Sequence, residues 1–508
     1  MEKMMEAKIN DLKKIFGIFV VLAMYVIMTF YLNDAYFNAL ESKALGVMAL
    51  FIIYNVLSAI ATVVLFVKAS PKDYFQTVFD KFLIYDHAIM IFGVVAIISN
   101  IITDYVKESF YGSYGWLIGT LFVLLSIMAY LFLSSNLEYN PIIFIAASAA
   151  ISVESIWVLL NFFKVDPFGF HVYLAEKDIV RYVGSIGNVN WYVGYLALTI
   201  PLIFTMSIVV RNIYARIALI VSLAVAFLTG FTCNSDGAFI AMFLIMAGYI
   251  FYGFSNIKLL FSVLIRLTAI MGSVGILDIL RIVLPHTDLD GYAGVILERH
   301  LYILPFILLL GLTIFIGFLD MDIFKKISKK AQLVFLGIII LAAIAIFISQ
   351  VLKFSDTYGH NRGKTWRVAF EAFKDLPFIK KLFGTGLSTF GYYYKAITGS
   401  DWVRNAHNEY IEYLITTGIA GIVALLTAAV SIMITGINNI RKANRTMPFI
   451  INATSFIALM AYMGQAFVNN PQGLNIGILV VVLAFFKWSC FTIKGELVQR
   501  EKTSLKEE

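Results

Sequence analysis

The chain has 508 residues, of which 60% are hydrophobic and only 14% are charged. Soluble globular proteins are about half apolar and about one quarter charged, so this composition excludes a soluble domain. The formal net charge of +7 does not indicate nucleic-acid binding, because the basic residues sit in short segments between apolar runs, as the positive-inside rule for membrane proteins requires.

Apolar runs recur along the whole chain, and each is about long enough to cross a bilayer as a helix. The first run follows a basic segment and lacks a small-residue cleavage site, so we expect a retained helix and not a signal peptide. The pattern predicts an all-α polytopic membrane protein with about 14 (12–14) transmembrane helices. The predicted spans are 15–32, 45–67, 83–103, 115–134, 141–163, 190–210, 217–232, 237–254, 258–276, 300–318, 332–350, 410–436, 449–468 and 474–492.

The distribution of Lys and Arg among the loops predicts that both termini lie in the cytoplasm. Three longer segments, 164–189, 277–299 and 351–409, then lie outside. The last is rich in aromatic residues, so we expect a large external loop carrying short helices and not a disordered one. The predicted domains are N-terminal transmembrane helices (1–163), a core that includes the loop 351–409 (164–436), and C-terminal transmembrane helices with a cytoplasmic tail (437–508).

The external loop 351–409 is basic, which is unusual for an outside segment. It contains Arg362, Arg367 and Arg404. Guanidinium groups bind phosphate oxygens bidentately and stay charged at any physiological pH. The cluster therefore predicts an anion site, and a solvated basic loop is the alternative.

A histidine stands near the end of this loop, directly before an apolar run. His407 is the residue there best suited to be a general base, because imidazole titrates near neutral pH. Asn408 offers an amide beside it, and Glu409 could stabilise the N-terminus of the helix that follows. The alternative is that His407 is a polar residue at the rim of a membrane helix.

A second polar segment, 181–202, opens another predicted span. Arg181 supplies a guanidinium, and Asn188 and Asn190 supply amides after glycines that permit irregular backbone. An asparagine-capped helix start is the alternative. Glu154 lies within a predicted span, where an ionisable group is costly and therefore a functional candidate; a structural ion pair is the other interpretation.

Two short polar turns face the same side as the external loop in the predicted topology. They are "CNSDG" at 233–237 and "NNPQG" at 469–473. They are either connectors or part of one external cavity. Cys233 and Cys490 fall near opposite membrane faces, so no disulfide is expected, and two thiols cannot form a metal cluster.

The ordered motifs resemble those of the bacterial O-antigen ligase and O-antigen polymerase family. "GNVN" opens a span that continues "GYLALTIPL", after an upstream "LLNFFKVDPFG". The external loop places Arg362 four residues before Trp366, followed by "DLPFIKKLFGTGLSTF" and "HNEYIEYLITTGIAGI". The resemblance extends from Glu154 to Gly421, the central half of the chain.

The resemblance implies a membrane glycosyltransferase of cell-surface polysaccharide synthesis, acting on the outer face of the bacterial cytoplasmic membrane. The implied partners are a polyprenyl-diphosphate-linked glycan donor, a glycan or lipid-glycan acceptor, membrane lipids and polysaccharide-assembly proteins. It implies that Arg362 binds the diphosphate and that His407 activates the acceptor or assists the leaving group. No cofactor is implied, and the absence of clustered metal ligands in the sequence predicts metal-independent transfer.

One family feature is missing. Members commonly carry an arginine in a Ser-Arg-Gly-like turn, where this chain has Ser235, Asp236 and Gly237. We expect Arg181 or Arg367 to supply that charge, or the diphosphate to be held differently. The full set of predicted diphosphate- and substrate-binding residues is Arg367, Arg181, Asn188, Asn190, Glu154, Asn408 and Arg404.

Two alternatives remain open at this stage. Polymerase is favoured over ligase, although acceptor recognition is not legible in one sequence. A flippase or transporter of lipid-linked oligosaccharides would also have about a dozen spans, but it should show repeats or broken helices with charges at the membrane midplane.

Overall fold

The computed structural model describes residues 2–68, 82–113, 115–352, 354–442 and 446–507. Within them, a π-helical segment, Ala23–Met28, continues the first α-helix. A short 3-10 helix spans Phe170–Tyr173. The strands β1 (Tyr182–Val183) and β2 (Gly187–Asn188) form an antiparallel hairpin. The α-helices are α1 (Glu2–Leu22), α2 (Ala39–Lys68), α3 (Ile84–Ile102), α4 (Val106–Tyr111), α5 (Thr120–Asn136), α6 (Pro141–Phe162), α7 (Glu176–Ile179), α8 (Val189–Val209), α9 (Ile213–Thr232), α10 (Asp236–Gly253), α11 (Ile257–Val283), α12 (Gly291–Glu298), α13 (Ile303–Phe318), α14 (Met321–Leu352), α15 (Tyr358–Asp375), α16 (Phe378–Phe383), α17 (Phe390–Thr398), α18 (Glu409–Arg441), α19 (Met447–Gln465) and α20 (Gly473–Glu507).

Eleven of the described helices are long and apolar enough to cross a membrane. The number becomes twelve if α12 and α13, which meet at a bend of 74°, form one broken span. The predicted all-α membrane class is confirmed, whereas a count of about 14 is not. The two remaining predicted spans coincide with α1 and its π-helical continuation, and with α5, which has 17 residues.

Helix α8 lies at the centre of the bundle. Its sequence is apolar on every side, and a helix of that kind is stable only when it is surrounded by other helices. Every residue from Tyr192 to Ser207 is buried, and α8 packs against α9, α10 and α19. The polar residues at its N-terminus are therefore held in position by the core of the protein.

Helix α18 is interrupted within its first three turns. Gly418 has φ 68° and ψ −170°, which breaks the helical hydrogen bonding after Thr417. The carbonyls freed by the break are satisfied from another segment: Thr385 N donates to Ile415 O at 3.0 Å, and Gly386 N donates to Thr416 O at 3.0 Å. The glycines of "FGTG" and "TTG" thus allow two backbones to meet, which fixes the start of α18 relative to α16.

The loop 351–409 is folded, as the sequence predicts. It contains α15, α16 and α17, and α15 and α17 have a small core of their own with the start of α18. The buried members of that core are Val368, Ala369, Phe390, Tyr394, Ala406 and Ile415. Because Ala406 belongs to this core, the segment directly before His407 is anchored in packed structure.

Glu154 is fully buried and contacts the β1–β2 hairpin. Its Oε1 accepts a hydrogen bond of 2.8 Å from Ser185 N, and its Oε2 accepts one of 2.6 Å from Ser185 Oγ. Lys43 Nζ donates to Thr29 O at 2.7 Å in the same region. The contacts of Glu154 are structural: they hold the hairpin that leads into α8.

Candidate active site

Five segments that are far apart in sequence meet at one end of the helix bundle. Asn190 comes from the start of α8, Asp236 from the start of α10, and Arg362 from the first turns of α15. His407 lies directly before α18, and Asn470 lies in the turn between α19 and α20. Contacts between these residues show that the two short polar turns of the sequence contribute to the same site as the loop 351–409.

A chain of hydrogen bonds joins α8 to His407. Ser235 Oγ donates to Asn190 Oδ1 at 2.9 Å, and Asn469 Nδ2 donates to the carbonyl of Asn190 at 2.5 Å. Asn470 N donates to Asn469 Oδ1 at 2.9 Å, and Asn470 Nδ2 lies 3.1 Å from His407 Nδ1. The imidazole is therefore oriented by residues fixed to the central helix.

Arg362 is the cation of this site. Its side chain is only 13% exposed, and its Nη1 lies 3.7 Å from Asp236 Oδ2. Burial lowers the pKa of Arg362, and the charge of Asp236 opposes that shift. A guanidinium stays protonated in proteins, so the site holds a buried positive charge paired with the carboxylate of Asp236.

His407 is held neutral and in a strained conformation. Burial and, to a smaller extent, the charge of Arg362 together lower the pKa of its imidazole to about 4. Its φ of 49° lies in the left-handed region, which non-glycine residues rarely adopt and which often accompanies function. At neutral pH the ring is thus unprotonated and able to accept a proton.

The contact with Asn470 decides which ring nitrogen can react. When the amide Nδ2 donates to His407 Nδ1, the imidazole proton resides on Nε2. When the amide is rotated by half a turn, Oδ1 accepts from Nδ1–H and leaves Nε2 free to accept a proton. In both arrangements Nδ1 is hydrogen-bonded to Asn470, so Nε2 is the ring nitrogen that is left to contact the substrate.

The backbone beside His407 is held from both sides. Trp366 Nε1 donates to Ala406 O at 2.9 Å, and Ala406 N donates to Glu412 Oε2 at 2.8 Å. Asn408 Oδ1 accepts from the N–H groups of Tyr410 and Ile411, which caps the start of α18. The Arg–Trp spacing of the external loop is explained by this geometry, since both residues of α15 act on the His407 segment.

The other predicted arginines are engaged elsewhere. Arg367 donates to Asp356 at 2.7 and 2.9 Å and to Glu371 at 2.7 Å. The Arg181 side chain is 69% exposed, with its Nη1 3.7 Å from Asp178. The structure shows neither guanidinium in contact with Arg362, so a second diphosphate-binding arginine is not evident from these contacts.

The two asparagines at the start of α8 have different places. Asn188 caps the helix, with its Oδ1 accepting from Asn190 N at 2.9 Å, whereas Asn190 itself belongs to the network that reaches His407. Arg404 lines a narrow pocket of about 40 Å³ next to Asn470. Sequence reasoning did not single out Asn470 or Glu412 as site residues; the polar turn "NNPQG" was the available signal for the first.

The described residues contain no group of three or more His, Cys, Asp or Glu side chains that could hold a metal ion. Metal-independent transfer stays a prediction.

The comparisons with known proteins agree with the motifs. Residues 292–426 match the family model described as O-antigen ligase, a glycosyltransferase-type enzyme family. The matched stretch contains Arg362, Arg404 and His407, and it confirms the resemblance for this part of the chain. No curated protein matches the chain.

Proposed function

Because residues 292–426 form an O-antigen ligase domain, we propose that the protein transfers a glycan from a polyprenyl diphosphate carrier to a hydroxyl of an acceptor sugar. The observation that carries the proposal is the meeting of Arg362 with His407 at one end of the bundle, although 45 positions separate them in sequence. A buried cation beside a neutral imidazole suits a reaction in which an anionic leaving group departs while a hydroxyl loses its proton.

In the proposed reaction the acceptor oxygen attacks the anomeric carbon of the donor sugar. The bond from that carbon to the diphosphate oxygen breaks, and the electron pair leaves with the polyprenyl diphosphate. The hydroxyl proton passes to His407 Nε2, and Arg362 stabilises the charge on the leaving diphosphate. Each group then returns to its starting state when the proton is released and the lipid diphosphate departs.

Asp236 affects how the Arg362 guanidinium binds a diphosphate. It occupies the position at which the family commonly has an arginine, and it lies beside Arg362 instead. Its carboxylate keeps the guanidinium oriented but reduces the positive charge offered to a diphosphate. The bound diphosphate is therefore expected to displace Asp236 from Arg362 or to contact another face of the guanidinium.

The membrane arrangement follows the family. The protein lies in the bacterial cytoplasmic membrane with both termini in the cytoplasm and the site on the outer face. In this arrangement the N-terminal helix, α5 and the α12–α13 pair also cross the membrane, which gives the even number of about 14 spans that this orientation requires.

A transporter of lipid-linked oligosaccharides is the second candidate. It is supported by the bent pair α12–α13, because broken helices line the binding sites of many transporters. The concentration of Arg362, His407 and the asparagine network at one end of the bundle favours the enzyme, since a transporter places its binding site near the midplane.

The proposal is tested by reconstituting the purified protein in liposomes with the lipid-linked donor as the sole glycan substrate. A polymerase produces longer lipid-linked glycans and releases one polyprenyl diphosphate for each new glycosidic bond. A ligase releases polyprenyl diphosphate only after a separate acceptor is added. Movement of intact donor across the bilayer with no new bond, whatever acceptor is present, would overturn the proposal in favour of transport.

A further inference from the structure

A polar cleft lies beside the Arg362–His407 pair and is not used by the reaction described above. Its inner part is a narrow pocket of about 40 Å³ next to Asn470, and its outer part is a pocket of about 660 Å³. The two parts share Ser113, Ser388 and Arg404, so they are continuous. We call the two pockets together the side cleft.

The inner part contains a buried oxygen atom that lacks a hydrogen-bond donor, Asn405 Oδ1. Asn470 is 5% exposed and Glu412 is 7% exposed, and both line this pocket. A buried acceptor without a donor is costly, so Asn405 Oδ1 favours a ligand that brings a donor to it.

The chemistry of these groups selects a ligand rich in hydroxyls. Carboxylate and amide oxygens accept hydrogen bonds, and sugar hydroxyls donate them. The amide oxygen of Asn405 cannot donate a hydrogen bond to a diphosphate, so the diphosphate belongs on the Arg362 side. Arg404 lies at the junction of the two parts.

The outer part presents aromatic rings to solvent. Trp402 is 91% exposed and Tyr392 is 37% exposed, and both line the outer pocket. Lys395 and Asp401 form an ion pair of 3.2 Å on the same lining. Exposed rings beside polar groups form a suitable platform for the C–H faces of sugar rings, since an aromatic ring offers a large, rigid surface at low entropic cost.

We propose that the side cleft binds the glycan chain whose terminal sugar lies next to the reacting atoms. A sugar in the outer part stacks on Trp402 and donates a hydroxyl hydrogen bond inward to Asn405. Asn470 links this site to the chemistry, because its amide also contacts His407 at 3.1 Å. The inference rests on the proposed function, and it adds a glycan subsite separate from the diphosphate position.

The first test measures binding without transfer. The probe is the carrier-free oligosaccharide that mild acid releases from the lipid-linked donor, titrated calorimetrically into purified protein. Wild type and His407→Ala should bind it equally. Trp402→Ala and Asn405→Ala should each weaken binding by about tenfold, and Tyr173→Ala, which removes another exposed aromatic ring outside the cleft lining, should not.

Asn405→Ala separates a ligand role from a structural one. It removes a buried acceptor that has no partner, so the unfolding temperature should stay the same or rise while glycan binding weakens. A lower unfolding temperature with unchanged binding would overturn the proposal. So would the absence of binding to wild type at concentrations that saturate transfer, even when transfer itself is normal.

The second test identifies which glycan the cleft takes. In the transfer reaction, Trp402→Ala should raise KM for one substrate by about tenfold with little change in kcat. A rise for the acceptor alone assigns the cleft to the acceptor glycan, and a rise for the donor alone assigns it to the donor glycan. Unchanged KM values for both would overturn the glycan subsite and leave the proposed transfer reaction intact.

Discussion

His407 and Arg362 act on each other through their charges. Burial and the guanidinium lower the imidazole pKa to about 4, so His407 is neutral over the physiological range. A neutral ring is required of a general base, and the same shift makes it a weak one. His407 therefore stays neutral at pH values at which an ordinary histidine would be protonated.

The transfer rate should therefore be insensitive to pH between about 8 and about 6 and should fall with an apparent pKa near 4. Arg362→Gln removes a charge that lowers the pKa, so in the residual activity of this variant the acid limb should move upward, while the burial of His407 keeps it below about 6.5. Initial rates of polyprenyl diphosphate release measure both profiles. An acid limb near 6.5 in wild type would contradict the burial of His407.

The shift has a matching consequence for stability. The folded pKa of His407 lies below its unfolded value, so the unfolded state binds more protons between the two. The contribution of the neutral ring to the free energy of unfolding is complete above about 6.5 and is lost as pH falls toward about 4.

Asn470 is a positioning residue, because it acts through His407. Asn470→Ala should lower kcat by about tenfold or more by freeing the ring. Asn470→Asp places a carboxylate at Nδ1, which stabilises the imidazolium and should raise the pKa of the acid limb. A purely structural role would lower the yield of folded protein in both variants and leave the pH profile of the remaining enzyme unchanged.

Among individual residues, Arg362 and His407 are predicted as active-site residues from their residue type and from the order of the motifs. It does not predict Asn470 as the partner of His407, since that contact joins residues 63 positions apart and depends on how α18, α19 and α20 pack. Asn408 illustrates the opposite case: the amide beside the histidine is used to cap α18.

Among the helices, the break in α18 has the clearest sequence origin. Gly384 has φ 89°, and a Cβ added there would lie 2.2 Å from Thr416 O. Gly418 is equally constrained, since its Cβ would lie 2.5 Å from Leu382 O. The glycines before and after the histidine motif are needed for one close backbone approach, which positions the loop that ends in His407.

Gly384→Ala should therefore prevent α16 from docking against α18 and lower the unfolding temperature strongly, with loss of transfer. Gly399→Ala is the matched control, because Gly399 also has a positive φ, 73°, but no atom lies within 4 Å of its added Cβ. It should cost only about 1 kcal/mol. Thermal unfolding in detergent, followed by size exclusion, compares the two, and equal stabilities would contradict the proposed docking.

The short helices of the loop 351–409 could be expected from the sequence, whereas their core could not. Val368, Ala369 and Ala406 form that core with residues of α17 and α18. Small apolar residues give little recognisable pattern on their own, and their burial here follows from the packing of α17 and α18 against α15. The contact between Glu154 and Ser185 could not be predicted either, because Ser185 lies in a hairpin that no clear sequence pattern indicates.

For the whole molecule, composition alone predicts the helical membrane class, and the number of spans is the less certain quantity. Runs such as 115–134 contain enough apolar residues, but the helix that forms, α5, is shorter than the run. Apolar loop residues at the ends of a run cannot be distinguished by sequence from residues of the span itself. The length of the predicted span is therefore overestimated there.

Orientation is testable with single cysteines in a background lacking Cys233 and Cys490. Lys374 lies in α15 of the predicted outer loop, and Lys329 lies in a basic segment predicted to be inside; both residues are exposed. In intact spheroplasts a membrane-impermeant maleimide should label Lys374→Cys and not Lys329→Cys, and lysis should expose both. Reversed labelling would contradict the proposed location of the active site.

The central claim is that Arg362 and His407 perform glycosyl transfer, and one assay addresses it. Polyprenyl diphosphate release is measured with purified His407→Ala and Arg362→Ala, each against a control of the same residue type outside the site, His286→Ala and Arg299→Ala. The two site variants should lose about 10²-fold or more in kcat at normal folded yield, and the controls should match wild type. Wild-type rates in correctly folded His407→Ala and Arg362→Ala would contradict the site.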